Sequence, residues 1–159
     1  MSIQVGDRIP SAVLSQMSER GPQGVNTTEY FAGRKVVLFS VPGAFTPTCS
    51  AHHLPGFVEQ AADIFSKGID AIACMAVNDV FVMHAWGKAA NANNIDMLAD
   101  GNGDFTRALG LEMDASPFGM GMRSQRYAMV VNDGVVETLN VEAPNKFEVS
   151  DADTILAGL

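Results

Sequence analysis

The chain is poor in cysteine and histidine, the side chains that most often build disulfide scaffolds or metal centres. It holds two cysteines and three histidines among 159 residues. Two cysteines are too few for a disulfide framework, and they suit a reducing compartment in which thiols perform chemistry. Basic residues are also scarce, with 10 Lys and Arg against 18 Asp and Glu, so the formal net charge is −8 at pH 7. That balance opposes nonspecific binding to nucleic acid or to an anionic membrane, and no local Lys/Arg run reverses it. No apolar stretch approaches the roughly 20 residues needed to span a bilayer. The segment from Met1 to Asp7 lacks the basic and apolar regions of a secretory signal. The expectation is a cytoplasmic protein with neither nucleic acid nor membrane as a partner. Repeats, linkers and low-complexity tracts are missing too, which leaves one domain over residues 1–159. What remains is an ordinary globular composition, 47% hydrophobic and 18% charged, rich enough to bury a substantial core.

Residues 1–30 are rich in turn formers, with one short apolar stretch at Ala12-Val13-Leu14. The β-branched run from Lys35 to Val41 reads as a buried strand. A helix is expected from about Thr48 to Lys67, because Leu54, Phe57, Val58, Ala61 and Phe65 fall at helical spacing and Gly68 is a fitting stop. Pro55 lies inside it and predicts a kink one turn after Cys49. Ile69 to Val77 is a second strand. Asn78-Asp79 caps a helix from Val80 to Ala90, followed by a short strand at Asp96 to Ala99 and a short helix at Asp104 to Leu109. Asn132-Asp133-Gly134 joins Arg126–Val131 to Val135–Val141 as a hairpin. Ser150 or Asp151 starts a terminal helix through Leu156. The alternation implies an α/β fold, a central mixed sheet with helices on both faces.

Within this frame one segment carries chemistry. Val41-Pro42-Gly43-Ala44-Phe45-Thr46-Pro47-Thr48-Cys49 delivers a thiol from a strand end into the first turn of a helix. Unpaired N–H donors and the dipole at a helix N-terminus favour thiolate over thiol. A free thiol of pKa near 8.5 is only roughly 7% ionised at pH 7.4, so complete ionisation gains little more than tenfold. A fast thiol enzyme therefore also needs groups that stabilise charge developing in the transition state. Thr46, three residues before Cys49, offers a hydroxyl; Arg126 offers a fixed positive charge; Pro42 can shield the pocket from water. Such a niche suits attack on an O–O bond. The residues alone favour that niche but also allow Cys49 to be a small buried apolar side chain.

The segment Pro42 to Ser50 resembles the active-site signature of the peroxiredoxins, and is most similar to their type II, Prx V-like branch. Further matching stretches are His53-Leu54-Pro55-Gly56-Phe57, Val77-Asn78-Asp79, Phe81-Val82-Met83, Ala85-Trp86, Ala99 to Gly103 and Arg123-Ser124-Gln125-Arg126-Tyr127. The resemblance implies a thioredoxin-like fold and reduction of hydrogen peroxide and alkyl hydroperoxides. It assigns Cys49 as peroxidatic nucleophile, Thr46 as its hydroxyl partner, Arg126 as the charge holding thiolate and peroxide, and Pro42 as shield. Cys49 would pass through a sulfenic acid that an external thiol restores. It implies no metal and no bound cofactor. It also implies a homodimer paired through the active-site loop, with Ala44, Phe45 and the Asn78–Val82 region at the contact.

Cys74 matches the second cysteine of plant-like members of this branch, which favours glutathione and glutaredoxin over thioredoxin as reductant. By its own pattern Cys74 sits within an apolar strand, so it is either a core residue or a redox partner of Cys49. His52 and His53 adjoin the thiol but point about 100° apart on a helix, which argues against zinc. Phe45, His53 and Phe118 are candidates for the substrate pocket, and Met113, Phe118, Met120 and Met122 form either a packed loop or an exposed patch. A redox sensor read by a partner, or a holdase using its Met- and Phe-rich surface, are the other functional readings. Neither of these requires Thr46 or Arg126.

Overall fold

A computed structural model describes all residues from Met1 to Leu159. The chain opens with a hairpin, β1 (Val13–Ser18) and β2 (Gly21–Asn26), and a one-turn helix α1 (Thr27–Phe31). Strand β3 (Lys35–Ser40) leads through the thiol-bearing loop into a π-helical turn (Cys49–His53) and helix α2 (Leu54–Phe65). Next come β4 (Ala71–Ala76), α3 (Val80–Ala89), β5 (Asp96–Ala99) and α4 (Asp104–Leu109). A small ribbon, β6 (Glu112–Asp114) and β7 (Met122–Ser124), encloses a 3₁₀ turn at Ser116–Phe118. The hairpin β8 (Tyr127–Asn132) and β9 (Val135–Val141) precedes the last helix, α5 (Ala152–Ala157).

Seven strands form one mixed sheet in the order β2-β1-β5-β4-β3-β8-β9. The β3–β4 and β4–β5 pairs are parallel, joined by right-sized helical crossovers, and β8 runs antiparallel against β3. Strand alternation divides the core in two. Val37, Phe39, Ile72, Cys74, Ala128 and Val130 face the layer of α2, α3 and α5, while Val36, Leu38, Met75, Tyr127 and Met129 face Phe31, Phe105 and Leu109 on the other side. At the β8–β9 turn Asp133 and Gly134 both take positive φ, of 48° and 79°, as a tight hairpin demands.

Three parts depart from the sequence-based expectation. Val13–Asn26 is a hairpin rather than a turn region, because β2 lies at the sheet edge where Gly21, Pro22 and Gly24 do not interrupt a central ladder. The β6–β7 ribbon was not expected at all. Finally, the helix from Thr48 to Lys67 is interrupted at its start. Pro55 has no N–H for the carbonyl of Ala51 and its ring crowds that carbonyl, so Leu54 N–H reaches back five residues to Cys49 C=O. The proline produces a wide turn around Cys49 in place of a kink after it.

Candidate active site

The carboxyl ends of the parallel strands deliver the site. From β3 the chain passes through Pro42 to Thr46, turns helical at Pro47 and places Cys49 fully buried at the start of the π turn. Gly43 sits in a tight spot: a Cβ there would lie 2.9 Å from Met120 Cε, the movable end of that side chain, and 3.2 Å from Thr46 Cγ2. Phe45 adopts a positive φ of 63°, unusual for an aromatic residue, and holds the loop in a sharp bend. The bend is fixed from outside by Asn78, whose Oδ1 accepts Ala44 N–H at 2.9 Å, and by Arg123, whose Nη1 donates to Pro42 C=O at 3.5 Å.

Three sequence-predicted residues converge. Thr46 Oγ1 lies 2.9 Å from Cys49 Sγ and 2.7 Å from Gly43 C=O. Its single proton serves one of these acceptors at a time. Directed at the sulfur it stabilises negative charge there; directed at Gly43 it leaves oxygen lone pairs free to accept a hydrogen bond from a ligand O–H. Arg126, at the entry to β8, donates from Nη2 to Cys49 Sγ at 3.1 Å. Charge-assisted bonds of this type are about twice as strong as neutral ones. Pro42 is half-buried in the same loop.

His53 takes a position that spacing alone did not reveal. It is fully buried behind Arg126 rather than lining an open pocket, with Nδ1 2.9 Å from Arg126 Nη1 and Nε2 3.0 Å from Ser150 C=O. A carbonyl only accepts, so Nε2 carries the proton and Nδ1 accepts from the guanidinium. Burial, then the Arg126 charge, push the imidazole down to about 3, so it is neutral in this role. Its ring packs against Phe39 and Phe147, and the Phe147 ring also lies 5.8 Å from Arg126 Cζ. Behind the sulfur, Trp86 Nε1–H donates to Ser50 Oγ at 3.0 Å and ties the π turn to α3.

Cys74 projects from β4 into the same apolar layer as Cys49, and both thiols are free. Burial, together with neighbouring Cys49, raises Cys74 well above the ordinary thiol range, which Arg126 only partly offsets. Phe45 and Phe118 are exposed, Phe118 on the 3₁₀ turn. The ribbon carrying Phe118 reaches the loop through Met120 and Arg123. His52 is exposed and His53 buried, so the adjacent histidines do not converge with Cys49 on a common ion. Asn78, Trp86 and Arg123 lay within the matching stretches, but spacing gave no hint of their contacts. Ser150 and Phe147 carried no signal, since they come from a loop ninety-seven residues beyond His53 in the case of Ser150.

Residues 4–156 match the Redoxin family model. Peroxiredoxin-2E-2, chloroplastic, of Oryza sativa subsp. japonica is 51% identical, with 99% of this chain and 73% of that protein covered. Peroxiredoxin-2B of Arabidopsis thaliana is 48% identical over 99% of this chain and 98% of its own length. Among solved structures, reduced Prx3 from Vibrio vulnificus in complex with hydrogen peroxide superposes with a TM-score of 0.96 at 59% identity, covering 98% of each chain.

Proposed function

The chain belongs to the redoxin family and, within it, to the peroxiredoxins; from this premise we propose the residue roles by which it acts as a thiol peroxidase. The observation carrying the assignment is that Cys49 Sγ lies within hydrogen-bond reach of both Thr46 Oγ1 and Arg126 Nη2. The Cys49 thiolate attacks the terminal oxygen of a hydroperoxide. An S–O bond forms, the O–O bond breaks, and the departing alkoxide or hydroxide takes up a proton to leave as alcohol or water. Arg126 and Thr46 stabilise the charge moving from sulfur to the leaving oxygen, and Pro42 keeps competing water from the sulfur. Hydrogen peroxide and alkyl hydroperoxides are the substrates, with Phe45 and Phe118 supplying apolar contact for larger ones. No metal or bound cofactor takes part.

The sulfenic acid formed at Cys49 accepts two electrons from external thiols. A first thiol forms a mixed disulfide and releases water, and a second restores Cys49 while leaving as the disulfide of the reductant. Cys74 is a poor internal source, since its dry surroundings keep it protonated and thiolate is the attacking form. Glutathione with glutaredoxin is the assigned reductant and thioredoxin the alternative, acting in the cytoplasm. The protein works as a homodimer joined across the active-site loop. Peroxide-driven turnover of Cys49→Ser and Cys74→Ser, with each reductant supplied separately, tests this. Cys49→Ser is expected to be inactive and Cys74→Ser to retain most activity with glutaredoxin. Full loss in a folded Cys74→Ser protein would overturn the external-thiol assignment.

A further inference from the structure

Glu142, just past β9 at the sheet edge, is a buried carboxylate with no cationic partner within ion-pair distance. Its backbone N–H donates to Arg126 C=O at 2.9 Å, tying it to the residue that carries the guanidinium. Its side chain is saturated by donors from the loop beyond β9. Oε1 accepts Glu148 N–H at 2.9 Å; Oε2 accepts Val149 N–H at 2.9 Å, Ser150 N–H at 2.8 Å and Ser150 Oγ–H at 2.7 Å. Four donors converging on one carboxylate fold residues 148–150 into a single conformation. That conformation aims Ser150 C=O at His53 Nε2.

We propose that Glu142 is a positioning residue for the peroxidase reaction, acting through Ser150 and His53 to hold Arg126 Nη2 against the Cys49 sulfur. The steps are continuous: Glu142 fixes the Ser150 backbone, Ser150 C=O fixes the His53 tautomer, and the Nδ1 lone pair of His53 anchors Arg126 Nη1. With Nη1 anchored, the planar fork leaves Nη2 directed at Sγ. The inference rests on the peroxidase reading for its kinetic consequence, but the tautomer it requires is a property of the resting protein. The carboxylate stays ionised in this setting. Burial raises it, yet the Ser150 hydroxyl and the three backbone N–H groups outweigh burial and leave it below the ordinary range.

The groups facing His53 decide how a defect would show. They are Arg126 ahead of β8, Ser150 with the Glu142 and Asp151 carboxylates of the C-terminal loop, and the rings of Phe39, Phe57 and Phe147. Below its folded value an imidazolium cannot accept from Arg126 and repels it, so the peroxide rate must fall as pH falls through that value. In the intact protein the fall lies near 3, outside the working range. Releasing residues 148–150 admits water to His53 and moves the fall upward, toward the ordinary imidazole value of about 6.5.

Two measurements test this. In the wild-type protein, ¹⁵N shifts of the His53 ring should report the neutral Nε2–H tautomer from about pH 4.5 to about pH 8. An Nδ1–H tautomer, or an imidazolium at pH 6, would overturn the proposal whatever the activity. In Glu142→Ala and Glu142→Gln, the second-order rate with hydrogen peroxide should drop roughly tenfold at pH 7, with a new acid limb at about pH 4–6. Glu142→Ala combined with His53→Gln should lose that limb, because an amide accepts and donates without titrating. A folded Glu142 variant with the wild-type rate and profile sinks the proposal. Failure of the wild-type protein to consume peroxide would instead sink the functional assignment and leave the tautomer result standing.

Discussion

At the scale of the residue, the proposed chemistry rests on three atoms that lie together: Cys49 Sγ, Thr46 Oγ1 and Arg126 Nη2. All three residues were legible in the sequence, because a thiol entering a helix needs a hydroxyl and a fixed charge and the matching stretches supplied both. His53 was visible only as a neighbour of the thiol. Its use depends on a fold that brings Ser150 and Arg126 to opposite ring nitrogens, and no local pattern encodes that. The two-point attachment of Arg126 leads to a prediction. In Arg126→Lys an ammonium keeps the charge but lacks the rigid fork needed to reach both Sγ and His53 Nδ1. The rate of peroxide reduction should fall by about 100-fold, comparable to deleting one oxyanion donor. Thr46→Val should lose a similar factor, and Thr46→Ser should retain most of the rate because the hydroxyl remains. Single-turnover kinetics with hydrogen peroxide measure both. A Lys variant within about threefold of wild type would show that charge alone suffices.

At the scale of the element, the π turn Cys49–His53 sets how the sulfur is presented. The sequence showed Pro55 and its disruption of helical bonding, but not which side of the proline would absorb it. Residues after Pro55 carry the apolar stripe Phe57, Ala61 and Ile64 that packs into the core, so α2 keeps its register there. The irregularity falls on the preceding turn, where Cys49 and His53 are buried while Ala51 and His52 face solvent. That turn is held by Ser50, which receives Trp86 Nε1–H and donates its own N–H to Thr46 C=O. For Cys49, fully buried, to meet an external thiol, this turn must open. Trp86→Phe and Ser50→Ala should therefore each destabilise the protein by about 1 kcal/mol from the lost hydrogen bond, with Trp86→Phe adding a cavity cost. A double-mutant cycle by denaturant unfolding should return a coupling of roughly 0.5–1.5 kcal/mol. Both variants should also speed reaction of the sulfenic acid with glutathione by easing the opening. Zero coupling, with unchanged resolution rates, would mean that Trp86 fills space without latching the turn.

At the scale of the whole molecule, a central mixed sheet was legible because strand-like apolar runs alternate with helical segments, while the parallel pairing of β3, β4 and β5 emerged only from the fold. The N-terminal hairpin was not, since an edge strand tolerates the glycines and proline that elsewhere mark a loop. What neither pattern nor core packing explains is the apolar surface around the thiol loop. Phe45 is 53% exposed, Phe81 63%, Phe118 74% and Met122 53%. Phe45 neighbours Trp86 of α3, whose first turn carries Phe81, and the Phe118 ribbon touches Gly43 through Met120. Large side chains left in water around one loop mark an association surface more often than they mark a solvated face. The net charge of −8 makes the apolar rim the better place for two identical chains to meet, as like charges elsewhere repel. The proposed homodimer gives a direct expectation. Sedimentation velocity at roughly tens of micromolar should find a dimer for the wild-type chain. Phe81→Glu, which buries a carboxylate against its symmetry mate, should weaken association by at least about 100-fold, near 2.7 kcal/mol, and yield monomer. Because Phe81 is exposed and the hydrogen bonds to Cys49 come from Thr46 and Arg126, the monomer should keep its chemistry. A wild-type chain that remains monomeric at that concentration would return the aromatic rim to the substrate or the reductant.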